Sequence, residues 1–161
     1  YGWNSKRSIN KYKGLNSRLD ELQSFFLVNK LKFLDIENKK RNKIADKYIN
    51  LLNENIIKPH IRSNAYHVFH IFCIKVKNRN LLVKYLEKRQ IVLTRHYNKL
   101  IFKYNAYKKI KRDLKMTNIS KLYKENLSLP IYPELSSKDQ LKIIKTINSF
   151  FESRNKWGQL Y

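Results

Sequence analysis

The chain has 161 residues, 42% of them hydrophobic, which suits one domain of ordinary size and is enough to close a core. No apolar run is long enough to cross a bilayer, and one cysteine, Cys73, excludes an internal disulfide and is expected as a buried thiol. The net charge of +23 would suit a polyanion, but Lys, Asn, Ile, Tyr and Phe are the residues of A/T-rich codons, and a biased genome inflates all of them whatever the function.

The first residues, Tyr1-Gly2-Trp3-Asn4, are not a signal peptide, so a cytoplasmic protein is expected. They also lack an initiating Met, from which a longer parent or a processed product is expected. Ser17, with Asp20 three positions later, opens a helix signal. Leu19, Leu22, Phe26, Leu27, Leu31 and Leu34 recur at helical spacing, and Ile44, Tyr48, Leu51 and Leu52 continue it. Asp35 with Lys39 and Glu37 with Arg41 are pairs in the favourable order. The spacing predicts one long, bent helix over residues 18–53, ended by Lys58-Pro59-His60.

A strand is expected over residues 67–76, apolar on both faces at first and therefore central. Asn80 would cap a short helix carrying Leu82, Tyr85 and Leu86. A second strand is expected over 91–97, a short helix over 118–125, and a third strand over 127–130, confined to an edge or an end by Pro130. Ser136 and Asp139 would cap a last helix whose inner face is Leu141, Ile144, Ile147 and Phe151. Helices alternating with strands give an α/β layer with a small sheet of about three strands. The organisation expected is an interface segment and long connecting helix over 1–53, an α/β small domain over 54–151 and a tail over 152–161. With only three glycines, the chain lacks the glycine-rich turns of a complete phosphate-binding enzyme.

Gly14-Leu15-Asn16-Ser17-Arg18-Leu19-Asp20-Glu21-Leu22-Gln23 resembles the G-x-N-S-R-L-D-E-x-Q segment of DegT/StrS nucleotide-sugar aminotransferases, which follows an N-Y-G turn and opens a long helix. Tyr66-His67-Val68-Phe69-His70-Ile71-Phe72 is similar to that family's W/Y-H-L-Y/F strand, and Arg95-His96-Tyr97 to its H-Y-P turn, although Asn98 replaces the proline. Leu127-Ser128-Leu129-Pro130-Ile131-Tyr132-Pro133 matches its L-S-L-P strand, and the helix after Ser136 its closing helix. The order and spacing agree over residues 1–151. The resemblance implies the C-terminal small domain of a fold-type I aminotransferase, a homodimeric enzyme dependent on pyridoxal 5'-phosphate (PLP). Its Schiff-base lysine would lie before Tyr1, so the chain alone would be inactive. Its substrates would be a nucleotide-diphosphate sugar, with 3-keto sugars favoured by the NSRLDE variant, and an amino-acid donor, usually glutamate.

The resemblance also implies site residues, each with a plainer role beside it. Asn16 would reach the PLP phosphate of the neighbouring subunit; by itself it is a helix cap. Arg18, and more weakly Arg7, would pair with the nucleotide phosphates, where a planar guanidinium suits two oxygens; the plainer role of Arg18 is a surface ion pair with Asp20 or Glu21. His96 and Tyr97 end a strand, where loops gather ligands. His70 alternates with Val68, Phe72 and Ile74 and by periodicity reads as a core histidine, with a substrate contact as the alternative.

His67 and His70, three apart on a strand, face opposite ways and make no metal pattern. The rival readings are a basic α/β module that stacks and neutralises RNA and a non-catalytic remnant of an aminotransferase. Against the first, the basic residues are scattered rather than massed on one stripe, so no specific nucleic-acid partner is expected.

Overall fold

The computed structural model describes residues 19–96, 100 and 117–158. In order they form α1 (Glu21–Leu31), α2 (Leu34–Leu51), β1 (Phe72–Lys75), α3 (Arg79–Glu87), α4 (Thr117–Glu125), β2 (Asn126–Leu129) and α5 (Ser137–Gly158). Residues 1–36 and 37–161 make two compact units.

In the first unit, the expected single helix over 18–53 is broken by a turn at Lys32 and Phe33. The Phe33 N–H reaches back only three residues, to the Lys30 carbonyl at 3.0 Å, which is too tight for an α-helical turn. Helix α1 begins after Asp20, whose side chain makes no capping bond. None of its residues is buried.

The second unit holds the core. Helix α2 turns Ile44, Ala45 and Tyr48 inward. Glu37 and Arg41 pair across one turn at 3.6 Å, as their spacing predicts. Helix α5 grips α2 with two amides on one of its faces. Gln140 Nε2 donates to the Ile44 carbonyl at 2.7 Å. Asn148 Nδ2 donates to the Leu51 carbonyl at 2.8 Å, while its Oδ1 accepts the Asn53 N–H at 2.9 Å. The two Asn148 bonds occupy a carbonyl and an N–H at the end of α2 that would otherwise need water. The capping box of α5 is as expected: Ser136 Oγ accepts the Asp139 N–H at 3.0 Å and donates to the Asp139 carboxylate at 2.6 Å. The inner face of α5 is rotated from the expected one. Ile143, Ile144, Ile147 and Phe150 are buried, Phe151 packs on the core and Leu141 is exposed.

Among the described residues the sheet has two strands rather than about three. Strand β1 pairs antiparallel with β2, in the register Phe72 to Leu129 and Lys75 to Asn126. Single bridges flank them, Ile57 to Lys75 on one side and Thr94 to Ser128 on the other. The segment expected as a strand over 91–97 therefore makes one bridge within its described residues. Strand β1, Phe72–Lys75, is 4 residues long and starts late in the expected 67–76 span because Phe69 takes φ 47°, a left-handed conformation that ends extended pairing. The His67 ring holds that turn by accepting the Phe69 N–H on Nδ1 at 2.9 Å. Phe69 is fully buried and its ring lies near those of His67 and Phe72. Cys73 is half-buried rather than buried.

Helix α3 starts one residue after Asn78, not at Asn80. It closes with Ile91 N–H on the Leu86 carbonyl and Gln90 N–H on the Glu87 carbonyl, both at 3.0 Å. Gln90 has φ 60°. That is a Schellman cap with a glutamine where glycine is usual, sealed by buried Leu86 and Ile91.

Candidate functional site

On the face of the sheet opposite the core lies an open cleft of about 240 Å³, lined in part by His70, Thr94, His96, Ser128, Pro130 and Ile131. Three stretches distant in sequence meet there. The left-handed turn at Phe69 sends the Phe69 ring into the core and leaves His70 exposed at the cleft rim. Alternation along β2 puts Leu127 and Leu129 in the core and turns Asn126 and Ser128 the other way. The bridge at Thr94 carries the third stretch alongside, with the Ser128 N–H donating to the Thr94 carbonyl at 3.1 Å. The floor is tied to α2 by Tyr48, whose hydroxyl donates to the Pro130 carbonyl at 2.9 Å. Burial, reinforced by Tyr132, pushes the Tyr48 phenol well above its ordinary range.

His96 is held at both ends. Its ring Nδ1 shares a hydrogen bond of 2.8 Å with Ser128 Oγ, and its main-chain carbonyl accepts Asn126 Nδ2 at 3.2 Å. Asn126 is itself oriented by Arg79, whose Nη1 lies 3.3 Å from Asn126 Oδ1 and 2.6 Å from the Tyr123 carbonyl. Arg79 is buried, and its Nε and Nη2 both donate to Asn80 Oδ1. Burial lowers the Arg79 guanidinium from its usual range and nearby Arg95 acts in the same sense, while Tyr123 opposes them. It remains a cation, satisfied by oxygens at the end of α4, where a helix presents its negative pole.

The structure thus joins two of the expected site residues, His70 and His96, in one cleft. His70 is not the core histidine that periodicity implies, because the strand has not yet begun where it sits. Arg7, Asn16, Arg18 and Tyr97 lie outside the described residues. Ser128, Asn126 and Arg79 were not singled out by sequence. The only signal for them is that Asn126 and Ser128 are polar residues two apart in a strand, and so share a face.

The cleft offers imidazole and hydroxyl groups among apolar walls, and none of its described lining residues is a lysine or a carboxylate. That donor set fits sugar hydroxyls or phosphate oxygens. It does not fit the aldehyde of PLP, which needs an amine. A second concavity of about 320 Å³ lies between α2 and the start of α5, with Lys40, Lys43 and Lys47 on its wall. Lys47 Nζ there donates to Ser137 Oγ at 3.0 Å. Among the described residues, no helix is long and apolar enough to cross a membrane.

The model of the DegT/DnrJ/EryC1/StrS aminotransferase family matches residues 1–148. Over 146 residues the chain is 33% identical to the dTDP-3-amino-3,6-dideoxy-alpha-D-galactopyranose transaminase of Aneurinibacillus thermoaerophilus, a match covering 90% of this chain and 40% of that protein. DesV of S. venezuelae has a similar structure, with a TM-score of 0.81 and 27% identity over 91% of this chain and 40% of DesV. NtdA of Bacillus subtilis, solved with bound cofactor PMP, gives a TM-score of 0.73 and 26% identity over 83% of this chain and 33% of NtdA. The chain spans about two fifths of the length of the curated relatives it matches.

Proposed function

The chain belongs to the DegT/DnrJ/EryC1/StrS aminotransferase family, and from that premise we propose that it is the C-terminal portion of a PLP-dependent enzyme that moves an amino group from glutamate to a nucleotide-linked keto-deoxysugar. The 3-keto position is favoured by the NSRLDE variant and by the 3-amino product named for the Aneurinibacillus relative. The parent would be a cytoplasmic homodimer.

One observation carries the reading. The three internal segments that resemble the family, at 66–72, 95–97 and 127–133, are up to 67 residues apart (133 − 66), yet each contributes to the same cleft. His70 comes from the first, His96 from the second, and Ser128, Pro130 and Ile131 from the third.

PLP, when bound, supplies the electron sink for the transfer. The residues of this chain do other work. His96 presents Nε2, the ring nitrogen not committed to Ser128, to a substrate oxygen. His70 adds a polar contact, and Pro130 and Ile131 limit water at the cleft wall; Tyr97 is given a substrate contact by the family resemblance alone. By the family resemblance, Arg18 and Arg7 would pair with the nucleotide phosphates, and Asn16 would hold the cofactor phosphate across the dimer. Residues 1–53 are assigned to the interface segment and connecting helix, 54–151 to the small domain and 152–161 to a tail, although α5 runs on through Gly158.

The lysine that binds PLP lies outside residues 1–161. Borohydride reduction of the PLP-loaded parent protein, followed by peptide mapping, is expected to find the pyridoxyl label there. A stoichiometric label on a lysine within this chain would overturn the placement of the active site.

A further inference from the structure

Arg79 has a role that burial alone does not explain. It sits at the start of α3 with 6% of its surface exposed. A cation in that position costs desolvation, which a carboxylate partner usually offsets. All the hydrogen bonds found for Arg79 go instead to neutral oxygens: Asn80 Oδ1, the Tyr123 and Asn126 carbonyls, and Asn126 Oδ1.

The choice of arginine has a chemical consequence at Asn126. An amide side chain can present either its oxygen or its nitrogen to a neighbour that both donates and accepts. A guanidinium only donates, so it admits only the oxygen. With Oδ1 turned to Arg79, Nδ2 must point the other way, and there it meets the His96 carbonyl at 3.2 Å. Two residues on, Ser128 takes the His96 ring at 2.8 Å. One face of β2 therefore fixes His96 by backbone and by ring, beside the bridge at Thr94.

We propose that Arg79 is a positioning residue for the cleft: by fixing the Asn126 amide it holds His96 against Ser128, and so presents the His96 Nε2 to an oxygen-rich ligand of the nucleoside-diphosphate class. The ligand class rests on the functional reading given above; the positioning does not. Arg79 is not among the described residues that line the cleft. Its effect passes through one amide and one carbonyl, and a donor-only side chain is what the relay requires.

The test uses the full chain with ¹⁵N-labelled histidine, reading the two ring nitrogens of His96 by NMR, with dTDP as the binding probe. Ser128→Ala removes the ring partner and defines the shift of a released imidazole. Arg79→Met and Asn126→Asp are expected to move the His96 ring signals in that same direction. Asn126→Asp is the decisive variant, because a carboxylate keeps Arg79 paired and the fold intact but has no N–H for the His96 carbonyl. Where dTDP binds the parent chain, its Kd is expected to rise about tenfold in each variant, the worth of one hydrogen bond to a charged group. If Asn126→Asp is folded and its His96 ring signals match those of the parent, the positioning role is wrong. If the signals shift but dTDP binds neither parent nor variant, Arg79 positions His96 and the substrate reading of the cleft fails instead.

Discussion

Helices α1 and α5 both carry many apolar side chains, and the two treat them differently. In α5, Ile143, Ile144, Ile147 and Phe150 are buried along one stripe, with Lys142, Lys145 and Ser149 on the wet side. In α1, Leu22, Phe25, Phe26 and Leu31 are each more than half exposed. The difference lies in the pattern. Phe25-Phe26-Leu27-Val28 fills four successive positions of α1, which at 100° per residue leaves no polar face. A helix of that kind belongs between layers, whereas α5 needs cover on one side only, and α2 and α3 provide it. Apolar content shows what must be covered; periodicity shows from how many sides.

The largest effect should come from the region α5 packs against. Phe72 is fully buried, with its ring centroid 5.1 Å from that of Tyr48. Phe72→Ala is expected to cost about 3–5 kcal/mol in urea unfolding, a large share of the ~5–15 kcal/mol that holds a typical domain. A loss below ~1 kcal/mol would show that the core is not built on β1. The next effect is a pH slope. The Tyr48 phenol is raised in the folded state by burial, so folding favours its neutral form. Its contribution is complete below the unfolded value of about 10 and is lost as pH rises above it, by about 1.4 kcal/mol per pH unit. Unfolding measured between about pH 9 and 11 should show that extra slope in the parent chain and not in Tyr48→Phe. Equal slopes would place Tyr48 in water. Third, the two helix starts should differ. Ser136→Ala removes a bonded cap from α5 and should lower stability by about 1 kcal/mol. Asp20, which makes no capping bond, should give much less when changed to Ala. Comparable losses in thermal melts would erase the contrast.

What was legible in the sequence follows the same division. Local signals were sound: the Ser136–Asp139 box, the pair Glu37–Arg41 and the short strand ahead of Pro130 all stand in the structure. The failures are places where a distant group decides. Phe69 adopts a left-handed φ because the core takes its ring and His67 takes its N–H, and nothing in the run from His67 to Val76 announces that cost. The strand expected over 91–97 is reduced to one bridge in its described part, its further links to β2 running through the side chains of Asn126 and Ser128. Arg79 was passed over because arginines are seldom buried, and only the fold places it among carbonyls. His70 and His96 were singled out through the family resemblance. Periodicity alone assigned His70 to the core, and the turn at Phe69 is why it is not there.

The smallest effect is the most informative about α1. Phe25 is 64% exposed, so in the 161-residue chain Phe25→Ser removes little packing. Its cost should stay within the ~0.5 kcal/mol usual for surface changes. Under the proposed domain organisation, residues 1–53 are an interface segment and connecting helix, and the same ring would be covered in the longer parent. Burying a phenylalanine side chain stabilises by about 1.5–3 kcal/mol, so Phe25→Ser made in the parent should destabilise it by that much. The measurement is a pair of urea titrations, one on the chain and one on the parent, each against its own Phe25→Ser variant. A larger loss in the parent assigns α1 a covering surface outside this chain and accounts for its lack of a polar face. Matched small losses in both would mean that α1 keeps its phenylalanines in water, and the interface assignment of residues 1–53 would fall while the cleft around His96 stood.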